Sequence, residues 1–273
     1  MVSRKRLLAV LTALSVFVTA VVYSTAGSTF AADENTSFQP SENVMAEVDA
    51  LLVRARTSGK LALIVMGANW CHDSQGLLAH FNEPEMVAVI DRHYEQLLVD
   101  VGMLNKGAEV NRRFGLPVIY GTPTVLVVDP SNERLLNGRD MQQWYNAASI
   151  GLADTVAYFM SKTIPSVRYA AVADSMATSD VLKKLLADID EFEAKQAERI
   201  YQGFAIVGPM VAMEKTERPK NFYRLWEQLR VLRYRIPDDL VTLRAMARRR
   251  AALGETDIKL DFPQYPALEW EVN

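Results

Sequence analysis

The only cysteine of the chain, Cys71, lies between an apolar segment and an amphipathic one. Branched residues from Leu63 to Val65 precede it and predict a buried strand, because the run is short and bounded by glycines. Apolar residues then recur at helical spacing, so Cys71 is expected at the N-terminus of a helix. Free backbone N–H groups and the helix dipole favour a nucleophilic thiolate there. The sequence predicts a reactive thiol, and a small buried core cysteine is the alternative.

The residues around this cysteine, Trp70-Cys71-His72-Asp73-Ser74, resemble the Trp-Cys-x-x-Cys active site of the thioredoxin superfamily, with Ser74 replacing the second cysteine. Farther along, Thr122-Pro123 ahead of an apolar strand resembles the superfamily's Thr-Pro motif, whose proline is cis and lies against the active-site cysteine. The order of strands and helices between the two motifs is also similar. The resemblance implies an α/β thioredoxin-like fold, a central mixed sheet flanked by helices, over residues 60–163.

Thiol–disulfide exchange with Cys71 as nucleophile is the chemistry that the resemblance implies. A serine hydroxyl is hardly ionised near neutral pH, so Ser74 cannot release a mixed disulfide as a second thiol would. Release must come from a second thiol of the substrate, from an external thiol such as glutathione, or from a reductase partner. Val65 also stands where thioredoxins usually carry a buried acid, which weakens the case for a general reductase. The expected catalytic residues are Cys71, Ser74 and His72, and the expected substrate-binding residues are Trp70, Asp73, Thr122 and Pro123.

Two functions are compatible with these residues. The first is a monothiol oxidoreductase of the cell envelope that acts as an isomerase, a deglutathionylase or a mixed-disulfide capture protein, with thiol- or disulfide-containing envelope proteins or glutathione as partners. The second is a non-catalytic protein-binding module in which Cys71 is incidental. A cysteine–histidine hydrolase is disfavoured, because His72 adjoins Cys71 at a helix start and the two side chains point apart.

The first 32 residues indicate a targeting segment. Basic residues at Arg4 to Arg6 precede an apolar run over 7–23, and small residues follow as far as Ala32. This is the three-part pattern of a secretory signal peptide. The run is long for a signal peptide, so an uncleaved N-terminal membrane anchor is the alternative. Both predict an exported protein of the periplasm or cell envelope.

Composition limits the remaining function classes. A net charge of -3 over 273 residues supplies no basic field, so nucleic acid is not an expected partner. The chain has only three histidines, and they are scattered, so we do not expect a metal centre. We expect no cofactor either. One cysteine cannot form an internal disulfide, and stability must therefore come from packing.

The chain outside the thioredoxin-like region is predicted to be helical or extended. Residues 33–59 are expected to form a linker and a helix capped by Ser41 or Asn43, and Asn82 is the expected N-cap of a later helix. From 164 to 273 we expect a helical subdomain with an extended tail, because strand signals disappear after Pro165. The predicted helices there are 181–201, 221–234 and 238–253, with Gly208-Pro209 as an interruption and Pro237 as a helix start.

Arginines are concentrated in this helical region. The pattern predicts solvated helix faces with ion pairs to nearby acids, and an acidic partner or an anionic membrane surface is the alternative ligand. The arginines are Arg224, Arg230, Arg233, Arg235, Arg244, Arg248, Arg249 and Arg250.

Overall fold

The computed structural model describes residues 37–164 and 179–272, which belong to one compact unit. The predicted leader over residues 1–32 and the predicted boundary at Pro165 lie outside the described residues. Within the two described ranges, no helix is both long enough and apolar enough to cross a membrane.

Helices and strands alternate in the first described range, and helices dominate the second. Residues 141–149 form 3₁₀ turns with a kink at Asn146, and residues 269–271 form one further 3₁₀ turn. The bounds are α1 Val44–Ser58, β1 Leu61–Gly67, α2 His72–Phe81, α3 Pro84–His93, β2 Tyr94–Asp100, α4 Ala108–Arg113, β3 Thr124–Asp129, β4 Arg134–Leu135, α5 Leu152–Lys162, α6 Asp180–Ala212 and α7 Phe222–Ala252.

The four strands form one mixed sheet in the order β2-β1-β3-β4. Strand β1 is parallel to β2 and antiparallel to β3, and β3 is antiparallel to β4. Helices α2 and α3 connect the parallel pair, and α5 follows the antiparallel pair. This is the thioredoxin-like α/β fold that the two motifs predict.

The central strand β1 is buried along its whole length, which explains its continuous apolar sequence. On one face, Leu63 and Val65 pack with residues of α2, α3 and α5. On the other face, Ile64 and Met66 belong to a core that also contains residues of α1, α6 and α7. The C-terminal helices therefore share a hydrophobic core with the sheet.

Helices α6 and α7 form an antiparallel C-terminal helix pair. A Cβ atom at Gly203 of α6 would lie only 2.7 Å from a methyl carbon of Leu229 in α7, so a residue without a side chain lets the two helices approach closely. Near the other end of the pair, Arg244 donates a hydrogen bond to Glu193 at 2.5 Å. The tail is fastened to the same pair, where Arg199 binds Glu271 and Tyr265 donates to Asp239.

Both helices of the pair run through a proline, and the predicted break at Gly208-Pro209 and the predicted helix start at Pro237 are wrong. A proline costs a helical hydrogen bond and crowds the preceding turn. Pro209 lies in the last turns of α6 next to the buried Val207 and Gly208, so packing maintains the helix there. In α7, Ile236 and Leu240 are buried on both sides of Pro237, and their packing maintains the helix.

The helix ends in the first range follow the sequence with one exception. Asn43 caps α1 by accepting a hydrogen bond from the Ala46 N–H at 3.1 Å, which confirms one of the two expected caps. Asn82 is not the N-cap of α3, because its backbone N–H closes the end of α2 and Glu83 takes the cap position. The two helices follow each other so closely that Asn82 ends α2 and the cap of α3 moves to the next residue.

Candidate functional site

The sulfur of Cys71 lies at the start of α2, as the sequence predicts. Cys71 is the N-cap residue, with an extended backbone (φ -89°, ψ 121°), and Gln75 donates the first helical hydrogen bond to its carbonyl. The residue is only 8% exposed. It is therefore a helix-terminal thiol, as expected, but one that is covered rather than open to solvent.

Thr122 contacts this sulfur through two polar groups. Its hydroxyl Oγ1 is 3.2 Å from Cys71 Sγ and donates a hydrogen bond to it, and its carbonyl oxygen accepts from the thiol at 3.3 Å. The next peptide bond, Thr122–Pro123, is cis. A donated hydrogen bond can stabilise a thiolate, and an accepted one can hold a thiol, so both forms of Cys71 have a partner.

Glycine is required immediately before this turn. A Cβ atom at Gly121 would lie 2.3 Å from ring carbons of Tyr145, so the tyrosine ring rests directly on the backbone. Tyr145 in turn stacks on Tyr234 of α7, with ring centroids 5.7 Å apart. The backbone next to Cys71 is thereby connected through two aromatic rings to the C-terminal helix pair.

Trp70 and Asp73 flank the cysteine and are both fastened to the fold. The indole Nε1 of Trp70 donates to the Gly102 carbonyl at 2.8 Å, and Asp73 accepts from the Ala148 N–H at 3.1 Å. These bonds tie the loop before α2 to Gly102 and the first turn of α2 to the 3₁₀ segment 141–149. They are consistent with a rigid site, while the expected contact of either residue with a substrate stays a prediction.

The two remaining motif residues, Ser74 and His72, face in different directions. Ser74 is completely buried, and its hydroxyl accepts a hydrogen bond from the Ala68 N–H at 3.4 Å. His72 is exposed. Within the described ranges neither side chain forms a hydrogen bond with Cys71, so the fold brings Thr122, and not these two residues, to the sulfur.

The C-terminal helix pair forms a second wall of the site. Trp226 of α7 meets Trp70 edge to face, with ring centroids 6.4 Å apart and planes at 78°. About two turns farther along α7, Tyr234 covers Tyr145. Between them lies Arg233, which is only 3% exposed. Trp70, one of the expected substrate-binding residues, is therefore bordered by the chain's own helix.

Arg233 corrects the prediction that the arginines of this region are solvated. Its guanidinium lies over the rings of Phe204, Trp226 and Tyr234, at 5.4 to 5.7 Å from their centroids. Burial lowers the pKa of Arg233 from its ordinary value, whereas the neighbouring Tyr234, Tyr145 and Cys71 raise it. The guanidinium is thus within electrostatic reach of the Cys71 sulfur.

The other arginines mostly agree with the solvated interpretation, because acids pair with them. The structure has ion pairs from Arg224 to Glu269, Arg230 to Glu227, Arg235 to Asp239, Arg244 to Asp190 and Glu193, and Arg250 to Glu255.

A buried carboxylate connects α6 and α7 to the segment before the Thr-Pro turn. Glu193 of α6 accepts a hydrogen bond from the Tyr120 hydroxyl at 2.8 Å and is ion-paired with Arg244. Burial and the charge of Glu193 raise the pKa of Tyr120 well above its usual range, so this phenol stays neutral. Nearby, the Tyr201 hydroxyl donates to the Pro117 carbonyl at 3.1 Å. These bonds hold α6 against the segment that leads to Thr122.

Sequence reasoning missed Arg233, Trp226 and Glu193 as parts of the site. Arg233 lies beside Leu232 and three residues before Ile236, within the apolar stripe of α7, and that position is the signal that separates it from its solvated neighbours. Glu193 similarly lies four residues after Ile189 and four before Ala197, which are both buried. No group of three or more His, Cys, Asp or Glu residues that could hold a metal ion occurs within 37–164 and 179–272.

Comparison with known proteins gives one solved structure. No protein-family model and no curated protein matches the chain. The crystal structure of a disulphide isomerase from Xylella fastidiosa Temecula1 is similar at 25% sequence identity, and the alignment covers 46% of this chain and 98% of that one with a TM-score of 0.42. The fold assignment rests on the strand order and the Thr-Pro turn of this chain, and not on that likeness.

Proposed function

We propose that this protein is an exported monothiol oxidoreductase of the thioredoxin type, in which Cys71 forms mixed disulfides. The observation that carries the proposal is the contact between the Cys71 sulfur and Thr122. A lone buried cysteine needs no hydroxyl donor, whereas a sulfur that alternates between thiol and thiolate gains from the donor at 3.2 Å and the acceptor at 3.3 Å.

The proposed reaction is one half of a thiol–disulfide exchange. The Cys71 thiolate attacks one sulfur of a disulfide, a new S–S bond forms, and the other sulfur leaves as a thiolate that takes a proton from water. Ser74 cannot reverse the bond, because its hydroxyl is buried and hardly ionised near neutral pH. A second substrate thiol would make the net reaction isomerisation, and glutathione or a reductase partner would make it reduction of the mixed disulfide.

The cellular location belongs to the same proposal. The basic, apolar and small-residue pattern of residues 1–32 supports export to the periplasm or cell envelope, with cleavage or retention of the segment both open. An oxidising compartment would supply disulfide substrates to such a protein. Intact mass measured on envelope fractions distinguishes the cleaved form from an anchored one.

A non-catalytic binding module is the second candidate function, and one observation favours it. Cys71 is 8% exposed, and Trp226 of the C-terminal helix pair contacts Trp70 next to it. In that case the buried thiol would be a packing residue, and the helix pair would carry the partner surface.

The test compares the wild-type chain with Ser74→Cys and Cys71→Ala under mild oxidation by glutathione disulfide. Wild type is expected to accumulate a glutathione adduct at Cys71, because no internal thiol resolves it. Ser74→Cys is expected to form an internal disulfide instead and to gain catalytic reduction of insulin. Cys71→Ala is the matched control and forms no adduct. Intact mass and insulin turbidity are the measurements.

The opposite result would favour the binding module. If wild type forms no adduct with native fold retained, and Ser74→Cys gains no reductase activity, Cys71 does not undergo exchange. Denaturing the same sample must then restore labelling of the thiol, which shows that the cysteine was intact and only inaccessible.

A further inference from the structure

Arg233 is a buried cation with unmet hydrogen-bond donors in the part of the chain that the structure describes. Its Nε and Nη1 atoms have no hydrogen-bond acceptor among the described residues, and no ion pair within those ranges includes it. Three aromatic rings provide its surroundings. A charge that is removed from water without a partner is costly, and cation–π contacts offset only part of that cost. Binding of an anion would therefore lower the free energy of the buried guanidinium.

The orphaned guanidinium lies at the Cys71 site and not elsewhere on α7. Trp226, whose ring Arg233 covers at 5.4 Å, contacts Trp70 next to the cysteine. Tyr234, which follows Arg233, covers Tyr145 above the turn that leads to Thr122. Arg233 therefore lies on the stretch of α7 whose aromatic rings contact the residues beside Cys71 and Gly121.

We propose that Arg233 is an anion subsite for the thiol chemistry of Cys71, and that the substrates are small thiols and disulfides that carry a carboxylate. This inference rests on the proposed function and names its substrate class. A guanidinium recognises a carboxylate through parallel N–H groups, which an ammonium cannot do. The cover over Cys71 favours small molecules, because a folded protein substrate would have to displace Trp226 and Tyr234.

The covalent step follows from this placement. The carboxylate of a symmetric disulfide binds Arg233 while one of its sulfurs meets Cys71. The Cys71 sulfur forms a new S–S bond, the old S–S bond breaks, and the departing half leaves as a thiolate that is protonated by water. Cys71 is oxidised to the mixed disulfide and the departing half is reduced, so no further oxidant is needed. An external thiol then releases the bound half.

The experiment uses three small disulfides of similar size and different charge with the full chain. They are dithiodipropionate, which is anionic, bis(2-hydroxyethyl) disulfide, which is neutral, and cystamine, which is cationic. Rates of adduct formation are measured by intact mass and divided by the rates of the same reagents with a short cysteine peptide. We expect the normalised rate to be at least about tenfold higher for dithiodipropionate than for the neutral disulfide, and lowest for cystamine.

Arg233→Gln is expected to remove this preference, so that the ratio of the dithiodipropionate rate to the neutral-disulfide rate falls from about tenfold to about one. Arg233→Lys keeps the positive charge but loses the parallel N–H groups of the guanidinium, so it should retain only part of the preference. Arg230→Gln is the matched control, because Arg230 lies one turn earlier on α7 and is paired with Glu227. It should leave the preference unchanged.

Two outcomes overturn the inference. Equal normalised rates for the three disulfides in wild type would mean that Arg233 selects no anion, and this readout needs no variant to fold. An equal slowing of all three reagents in Arg233→Gln would mean that the arginine acts only on the sulfur. Absence of reaction with any disulfide would instead contradict the proposed function itself, and with it this subsite.

Discussion

The two walls of the Cys71 site differ in how their polar groups are partnered. On the sheet side, Thr122 is hydrogen-bonded to the sulfur, and Trp70 and Asp73 are hydrogen-bonded to backbone groups. On the helix-pair side, Arg233 has two buried nitrogen atoms without an acceptor among the described residues. A wall with complete hydrogen bonding can hold the nucleophile in place, whereas a wall with unmet donors can bind something that arrives. The difference assigns positioning to one wall and recognition to the other.

The largest expected effect comes from removing a buried side chain between α6 and α7. Leu229 is fully buried against α6, so Leu229→Ala should lower the free energy of unfolding by about 2–5 kcal/mol and expose Cys71. Leu63→Ala is the matched control, because Leu63 is equally buried but packs on the other face of the sheet. Denaturant unfolding and the rate of Cys71 alkylation are the measurements.

Only Leu229→Ala should accelerate alkylation under native conditions, although both variants lose stability. If both accelerate it equally, the helix pair is not the cover of the thiol. The helix-pair side would then have no part in limiting access to Cys71.

A second variant removes the charge of Glu193, which connects α6 to the segment that leads to Thr122. Glu193 accepts from Tyr120 and pairs with Arg244 while its side chain is only 6% exposed, so Glu193→Gln should cost about 1–3 kcal/mol. Glu191→Gln is the control on the same helix, since its partner Lys195 is exposed and the pair should contribute little. Denaturant unfolding gives both values, and equal costs would show that Glu193 does not join the walls.

The smallest expected effect concerns the sheet-side wall alone. Thr122→Val removes the hydroxyl that donates to Cys71 and keeps the side-chain volume, so the alkylation rate at neutral pH should fall by up to about tenfold. Thr122→Ser retains the hydroxyl and should stay near wild type. Melting temperatures confirm that both variants are folded, and an unchanged rate in Thr122→Val would remove the hydroxyl from the mechanism.

Local sequence patterns predicted the sheet-side wall, and distant packing determined the other. The strand before Cys71, its cap position and the Thr-Pro turn are each defined by a few neighbouring residues, so the fold and the sulfur's neighbour could be foreseen. The surroundings of Arg233 could not be assigned in the same way, because its place in the apolar stripe of α7 indicates burial but not the contact with Phe204 of α6. The same long-range packing keeps α7 helical through Pro237, where a local rule predicts a new helix start.

The sequence contains one thiol, and the fold covers it. The labelling rate of this thiol therefore reports how often the structure opens locally around Cys71. We expect a bulky maleimide to reach Cys71 only when α7 separates from the sheet, so that slow labelling measures how often this separation occurs. When reclosing is faster than labelling, the ratio of the observed rate to that of an open thiol equals the fraction of time spent open. Each tenfold slowing then corresponds to about 1.4 kcal/mol of local opening free energy.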